Sequence, residues 1–281
     1  MNMNFDHLLD SANEQTPKCE STYADEDGLL RCAVCHKRVQ VKMPYPFGNG
    51  YRIQNCICGC VEKEETEDAK RKKQEAIERR RRTCFSSTNM ASWTFENDDL
   101  KNEKLSNAMK RYVWNFKEFK REGKGLLMYG PVGTGKTYYA ACIANALLEE
   151  GYRAYMTNFA QLTNKLQGMY EGKQEFIDNL NEYDLLIIDD LGIERRSGSG
   201  YVQEIVFNVV DSRYRAGLPM IITTNLTPNE IKSTSDVVYQ RIYDRIIERC
   251  FPLEVKGASR RREALRNTND YMKAMLGLED E

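Results

Sequence analysis

The chain of 281 residues is 41% apolar and 30% charged, with 41 Lys plus Arg against 42 Asp plus Glu. That is a globular composition with room for one large or two ordinary domains, able to bury about three quarters of its unfolded surface. A net charge of −1 excludes a strongly basic nucleic-acid coat or an acidic tail as the governing feature, and no apolar run approaches the roughly 20 residues of a bilayer span.

The opening residues have no basic stretch leading into an apolar one, so the expectation is a chain without a secretory signal, working in the cytoplasm. His7, beside Phe5, Leu8 and Leu9, reads as a surface residue of a short helix. Six of the nine cysteines then crowd together: Cys19, Cys32, Cys35, Cys56, Cys58 and Cys60. Disulfide scaffolds spread their bridges over the domain they staple. A cluster in a chain read as unexported predicts metal thiolates in a reducing compartment. Cys32-x-x-Cys35 has the form of a zinc knuckle, and Cys56-x-Cys58-x-Cys60 offers further thiolates about 20 residues on. Tetrahedral Zn²⁺ takes four ligands, so two of Cys56, Cys58 and Cys60 complete the set. Spacing does not decide which two, and Cys19 and His36 stand in reserve. The run Cys32 to His36 also matches the C-x-x-C-H haem attachment pattern, which would require export, and unligated thiols are a further alternative. Residues 1–60 thus read as a small zinc-binding module whose core needs a metal staple; the patch around His7 has a partner-docking surface as its alternative reading.

Residues 61–84 differ sharply. Sixteen charged side chains fall within 61–82, and only Val61, Ala69, Ala76 and Ile77 are apolar. Nearly all are strong helix formers, with acids early and bases late to suit the helix dipole. The expectation is an exposed, charged linker helix with no buried face. Arg79 to Arg82 are then available to phosphates or an acidic partner.

From 85 to 281 short apolar runs alternate with helical periodicity. Strands are predicted at 125–130, 153–156, 184–189 and 219–224. A helix from Lys136 turns Ala140, Ile143, Ala144 and Leu147 inward, one over 201–215 turns Val202, Val206, Val209 and Val210 inward, and another covers 236–249. Alternation of this kind implies parallel strands with right-handed crossovers, a parallel sheet flanked by helices.

Gly130-Pro131-Val132-Gly133-Thr134-Gly135-Lys136-Thr137 matches G-x-x-x-x-G-K-[ST] between a predicted strand and a predicted helix. Such a loop curls its N–H groups around phosphates at a helix N-terminus. Lys136 should reach the β- and γ-phosphates of ATP, and the Thr137 hydroxyl should ligate Mg²⁺. Asp189 ends the run Leu185 to Ile188, where a carboxylate can hold the Mg²⁺ shell. Asp190 follows as the general base for the attacking water. Thr223-Thr224-Asn225 ends the next apolar strand, beside the acids. Arg241, Arg245 and Arg249 recur every four residues, on one face of their helix. Cys142 and Cys250 read as ordinary packed thiols.

The ordered set GPVGTGKT, LLIIDDLG, the stretch 204–215 with Asp211, Arg213 and Tyr214, and PMIITTNLT resembles the AAA+ ATPases of the DnaC/DnaI helicase-loader group. The similarity covers about 93–272, and Trp93-Thr94-Phe95-Glu96 looks like that group's entry to its ATPase domain. The resemblance implies a P-loop AAA+ sheet, with Lys136 and Thr137 as Walker A and Asp189 and Asp190 as Walker B. It implies Asn225 as the sensor I residue, Arg245 of R-x-x-D-R as an arginine finger serving a neighbouring subunit, and Arg241 as its near neighbour. Arg261 of Ser259-Arg260-Arg261 falls at sensor II, with the register open by one. Several loaders of the DnaI or phage type carry a similar zinc ribbon. It implies a hexameric replicative DNA helicase and single-stranded DNA as partners in DNA replication, and homo-oligomers when ATP-bound or on the helicase. An IstB-like transposition ATPase and a non-hydrolysing ATP-switch adaptor are the alternatives.

Overall fold

The computed structural model describes residues 19, 21–45, 50–192, 200–276 and 278. It divides into two compact units, 1–76 and 77–281. The helix expected around His7 lies outside the described residues.

The first unit holds two antiparallel hairpins. Strands β1 (Thr22–Ala24) and β2 (Leu30–Cys32) pair across a turn, where the Asp25 carboxylate accepts from the N–H groups of Asp27 and Leu29. The same carboxylate takes Arg31 at 3.1 Å and Arg38 at 3.4 Å, so one acid ties the turn of the first hairpin to β2 and to the segment that follows it. Strands β3 (Gln40–Pro44) and β4 (Tyr51–Asn55) form the second. Between them the apolar centre is little more than Cys32, Val39 and Cys58. A core that small cannot offset the conformational entropy of the fold.

Helix α1 (Gly59–Cys84) follows. Its charged middle is exposed as expected. The expectation of no buried face holds only there: Ile77 and Cys84 are buried, and Arg81 donates to Asn145 and pairs with Glu149 at 2.6 Å. Ile77 was the one large apolar residue late in the charged run, and it anchors the helix.

In the second unit α2 (Glu103–Trp114) and α3 (Phe116–Glu122) precede β5 (Gly125–Tyr129). Then come α4 (Lys136–Glu149), β6 (Ala154–Asn158), α5 (Phe159–Gln167), α6 (Lys173–Asn179), β7 (Leu185–Leu191), α7 (Gly200–Arg215), β8 (Met220–Thr224), α8 (Pro228–Lys232), α9 (Val237–Arg249), β9 (Cys250–Glu254) and α10 (Arg260–Leu276). The five strands pair in parallel in the order β6-β7-β8-β5-β9. Strand residues alternate between two cores. Leu126, Met128, Leu185, Ile187 and Ile221 meet α2 and α4 on one face. Leu127, Leu186, Ile188, Met220 and Ile222 meet α5, α7 and α9 on the other. Burial on both faces is why these strands read as unbroken apolar runs. β9 follows α9 directly with the mixed run Cys250–Glu254, and pattern alone did not reveal it.

Arg213 is buried beneath this sheet, donating to the carbonyls of Leu180, Tyr183, Asp184 and Pro219 at 2.8–3.2 Å. Burial draws its pKa down to about 10, against the charge of nearby Asp184. It fastens the N-terminal ends of β7 and β8 by satisfying carbonyls that neither strand pairs.

Candidate nucleotide and metal sites

The loop from Gly130 to Gly135 joins β5 to α4. Gly130, Gly133 and Gly135 take φ of 146°, 86° and 103°, where a side chain is strained. At Gly133 there is no room either: Ser259 lies over the loop where a Cβ would be. Lys136 donates from Nζ to Gly130 O, Pro131 O and Asn225 Oδ1, each at 2.8 Å. The lysine is thereby placed at the loop and in contact with Asn225. Burial lowers its pKa, opposed by Asp190 and Asp189 and aided by Arg261.

At the end of β7 the chain departs from a regular strand. Consecutive strand residues point to opposite faces, so Asp189 and Asp190 should diverge. Asp190 instead adopts a left-handed φ of 58°, and the pairing of β7 with β8 shifts between Ile188 and Leu191. A bulge of this kind re-aims side chains at a cost of about 1 kcal/mol or more. Asp189 accepts from Thr137 Oγ1 at 2.9 Å, while Asp190 lines the same cavity as Lys136 and Thr137. Buried Thr223 secures the bulge: its hydroxyl donates to Asp189 Oδ1 at 2.5 Å and accepts from the Asp190 N–H at 2.9 Å. Burial pushes Asp189 above the usual carboxylate range despite the hydrogen bonds from Thr223 and Thr137, and Asp190 adds to the rise. Thr223 is a site residue that sequence reasoning passed over in favour of Asn225. Its only signal was being a threonine near the end of an apolar strand, on the face opposite Ile222.

These groups border a cavity of about 480 Å³. Lys136, Thr137, Asp190 and Asn225 contribute to its walls, and so do Trp93, Tyr138, Arg260 and Arg261. The Trp93 and Tyr138 rings lie 5.9 Å apart, an aromatic surface beside the phosphate loop. Tyr138 donates to Thr94 O at 2.9 Å, so the segment Trp93 to Phe95 is held against α4. The two arginines at 260–261 differ in their surroundings. Arg260 is paired to Asp99 at 2.9 Å and sits over Tyr138 and Tyr139. Arg261 is exposed at the cavity.

The arginine row is split by its surroundings. Arg245 pairs with Asp211 at 2.7 Å and lies over Phe207 and Tyr214. Arg249 also lies over Tyr214, and Arg241 is exposed. The expected stripe is thus two packed arginines and one outward arginine. Cys142 and Cys250 are buried, and burial raises both thiols to about 12, as packed thiols require.

In the first unit the Sγ atoms of Cys32, Cys35, Cys58 and Cys60 lie within 4.8 Å of one another. Zinc–sulfur bonds of about 2.3 Å in a tetrahedron put sulfurs about 3.8 Å apart, so this set fits. Cys56 turns to Gln54 O and stays outside the group, as does His36, which meets Tyr23 at 3.2 Å. Cys19 packs on the cluster's edge. Backbone N–H groups of Cys35 and Val34 lower the Cys32 thiol, while hydrogen bonding with Cys35 and burial push Cys60 up to about 12. Thiols crowded this closely repel one another on ionising, and a divalent cation among them supplies the positive charge that lets them do so.

A family model described as IstB-like ATP binding protein matches residues 61–268. The chain belongs to the IstB-like ATP-binding family. It is 25% identical to the replicative helicase loader DnaI of Bacillus subtilis over 262 residues, 88% of this chain and 80% of that relative. To the replicative helicase loader DnaC of Escherichia coli it is 26% identical over 157 residues, 54% of this chain and 62% of that one. A crystal structure of DnaI superposes with a TM-score of 0.52 at 25% identity, covering 63% of this chain and 95% of that chain. One of the DnaC helicase loader gives 0.50 at 24% identity, covering 60% and 100%. The resemblance of this IstB-like chain to the DnaC/DnaI group of AAA+ ATPases therefore holds, and its sheet is the P-loop AAA+ sheet flanked by helices. Among the described residues no helix is long and apolar enough to cross a membrane.

Proposed function

We propose that this IstB-like protein is an Mg-ATP-dependent loader that binds a ring-shaped hexameric replicative helicase and delivers it to single-stranded DNA in the cytoplasm. The observation that carries the ATPase part is convergence. Lys136 and Thr137 at the start of α4, Asp190 at the end of β7 and Asn225 just after β8 meet at one cavity on the phosphate loop, with Asp189 bonded to Thr137. The loader part rests on the relatives. Thr137 and Asp189 would hold Mg²⁺, which shields phosphate charge when bound. Lys136 and Arg261 neutralise the triphosphate, the Trp93–Tyr138 surface takes the base, Asp190 accepts the water's proton and Asn225 orients that water. Homo-oligomers formed on ATP or on the helicase bring a neighbour's arginine to the site. Arg245 is the residue implied by resemblance, and it must leave Asp211 to serve. Exposed Arg241, one turn earlier, needs no such release. Cys32, Cys35, Cys58 and Cys60 would hold Zn²⁺, giving the 1–60 module its rigidity as a docking surface.

The test is a pull-down with the resident hexameric helicase, followed by helicase transfer to a single-stranded circle with ATP. Binding and ATP-dependent transfer are expected. Capture of a transposase with no helicase binding would favour the IstB-type transposition reading. An intact ATP site with zero turnover on both partners would leave the switch adaptor.

A further inference from the structure

The first two residues of α10 are both arginines, and helix geometry turns neighbours about 100° apart, so the two side chains cannot share one direction. Arg260 is already committed. Its Nη2 lies 2.9 Å from Asp99 Oδ1, and its Nη1 lies 3.8 Å from Asp98 Oδ1. The guanidinium also faces the rings of Tyr138 and Tyr139, each centroid 5.7 Å away. The Asp98 side chain is 0% exposed and additionally accepts from Tyr139 Oη at 3.3 Å. A carboxylate fully removed from water persists only where it is paired. Behind the side chain, the Arg260 N–H donates to Gly133 O of the phosphate loop at 2.9 Å. Nearby, Asn102 donates from its amide to Lys256 O at 3.4 Å while capping α2 through the Leu105 N–H. The segment 98–102 thus holds the start of α10 at several points, and the residue after the anchor is Arg261.

We propose that Asp98 and Asp99 are positioning residues that act through Arg260 to fix Arg261 over the nucleotide cavity. The acids touch no nucleotide themselves. They hold the first turn of α10 in one rotation, so that Arg261 is presented to the triphosphate already ordered. Without the pair, Arg260 would be released and would compete with Arg261 for phosphate from a different angle. This rests on the reading of Arg261 as a phosphate-binding residue.

The experiment is a mutant cycle in the full chain, with ATP titrated in steady-state hydrolysis and in equilibrium binding. Asp98→Asn with Asp99→Asn should raise the KM for ATP about tenfold, the size of one lost charge-assisted hydrogen bond, with a smaller change in kcat. Arg260→Gln, which breaks the same contact from the other side, should reproduce it and serves if the Asn pair folds poorly. Placed on Arg261→Ala, either change should have no further effect, because the residue being positioned is gone. A merely structural role would multiply with Arg261→Ala instead, and that result overturns the proposal, as does an unchanged KM in both brace variants. Wild-type ATP affinity in Arg261→Ala alone would refute the phosphate role of Arg261 and the positioning role with it. A large Arg261→Ala defect beside silent brace variants would refute the brace alone.

Discussion

Thr223→Val is the sharpest perturbation of the hydrolytic end of the site. The two side chains have nearly the same shape, and Thr223 is fully buried, so no cavity forms. What disappears is the hydroxyl that donates to Asp189 at 2.5 Å and accepts from the Asp190 N–H at 2.9 Å. Losing a hydrogen bond to a charged group costs about 1.5–3 kcal/mol, and stranding a donor costs about 1–3 kcal/mol. A loss of about 3 kcal/mol is the expected net, which for the 77–281 unit lowers the melting temperature by roughly 6–12 °C. The effect on turnover should exceed the effect on ATP binding. The bulge that aims Asp190 loses its support, whereas Lys136 keeps its three contacts. Thr223→Ser retains the hydroxyl and should restore most of both. Calorimetric melts and ATP hydrolysis at saturating ATP measure the two arms. A Val variant that melts within 2 °C of wild type and hydrolyses ATP normally would show that Thr223 does not hold the bulge.

Lys136→Ala should abolish tight ATP binding, and Asp190→Asn should bind ATP but lose turnover, since Asn tolerates the left-handed backbone; equal ATPase rates would remove Asp190 from the base role. Purified protein should contain about one zinc per chain: Cys58→Ser should lose it and Cys56→Ser should keep it by metal analysis, and the reverse pattern would reject the Cys32, Cys35, Cys58, Cys60 set. Arg245→Ala should lower the melting temperature, because it leaves buried Asp211 with Arg215 alone, whereas Arg241→Ala should not. Mixing each with Lys136→Ala and scoring recovered ATPase identifies which arginine serves a neighbour. Mg²⁺ affinity should fall on acidification, because proton and metal compete for Asp189 and its raised pKa starts that competition at a higher pH than in an ordinary aspartate; a pH dependence no different from that of an unperturbed aspartate would contradict it.

The sheet and phosphate loop were legible because their signals are local. Doubly buried strands must be continuous apolar runs, and the loop's glycines stand at fixed spacing before Lys136. The bulge at Asp190 was not, since a left-handed residue in an aspartate pair leaves no mark on the sequence. The choice of Cys58 and Cys60 over Cys56 depends on the entry of α1, whose first turn carries Cys60, and spacing alone left it open. Asp98 looked like one acid among many. Its pairing with Arg260 joins positions far apart along the chain, and no periodicity can announce that. The surroundings of the arginine row were hidden for the same reason: a shared helix face says nothing about Phe207, Asp211 and Tyr214 waiting on the neighbouring helix.

The strand order has a consequence for how the molecule is made. β5, which carries the phosphate loop, pairs only with β8 and β9, both of which lie far downstream. On a ribosome adding about 5–20 residues per second, that strand waits on the order of ten seconds with both edges bare. β6 and β7, by contrast, can zip together soon after they emerge. The nucleotide pocket is therefore a late product of synthesis, since its walls reach to Arg260 and Arg261, downstream of β9. Until then the apolar run Gly125–Tyr129 is a segment for chaperones to guard.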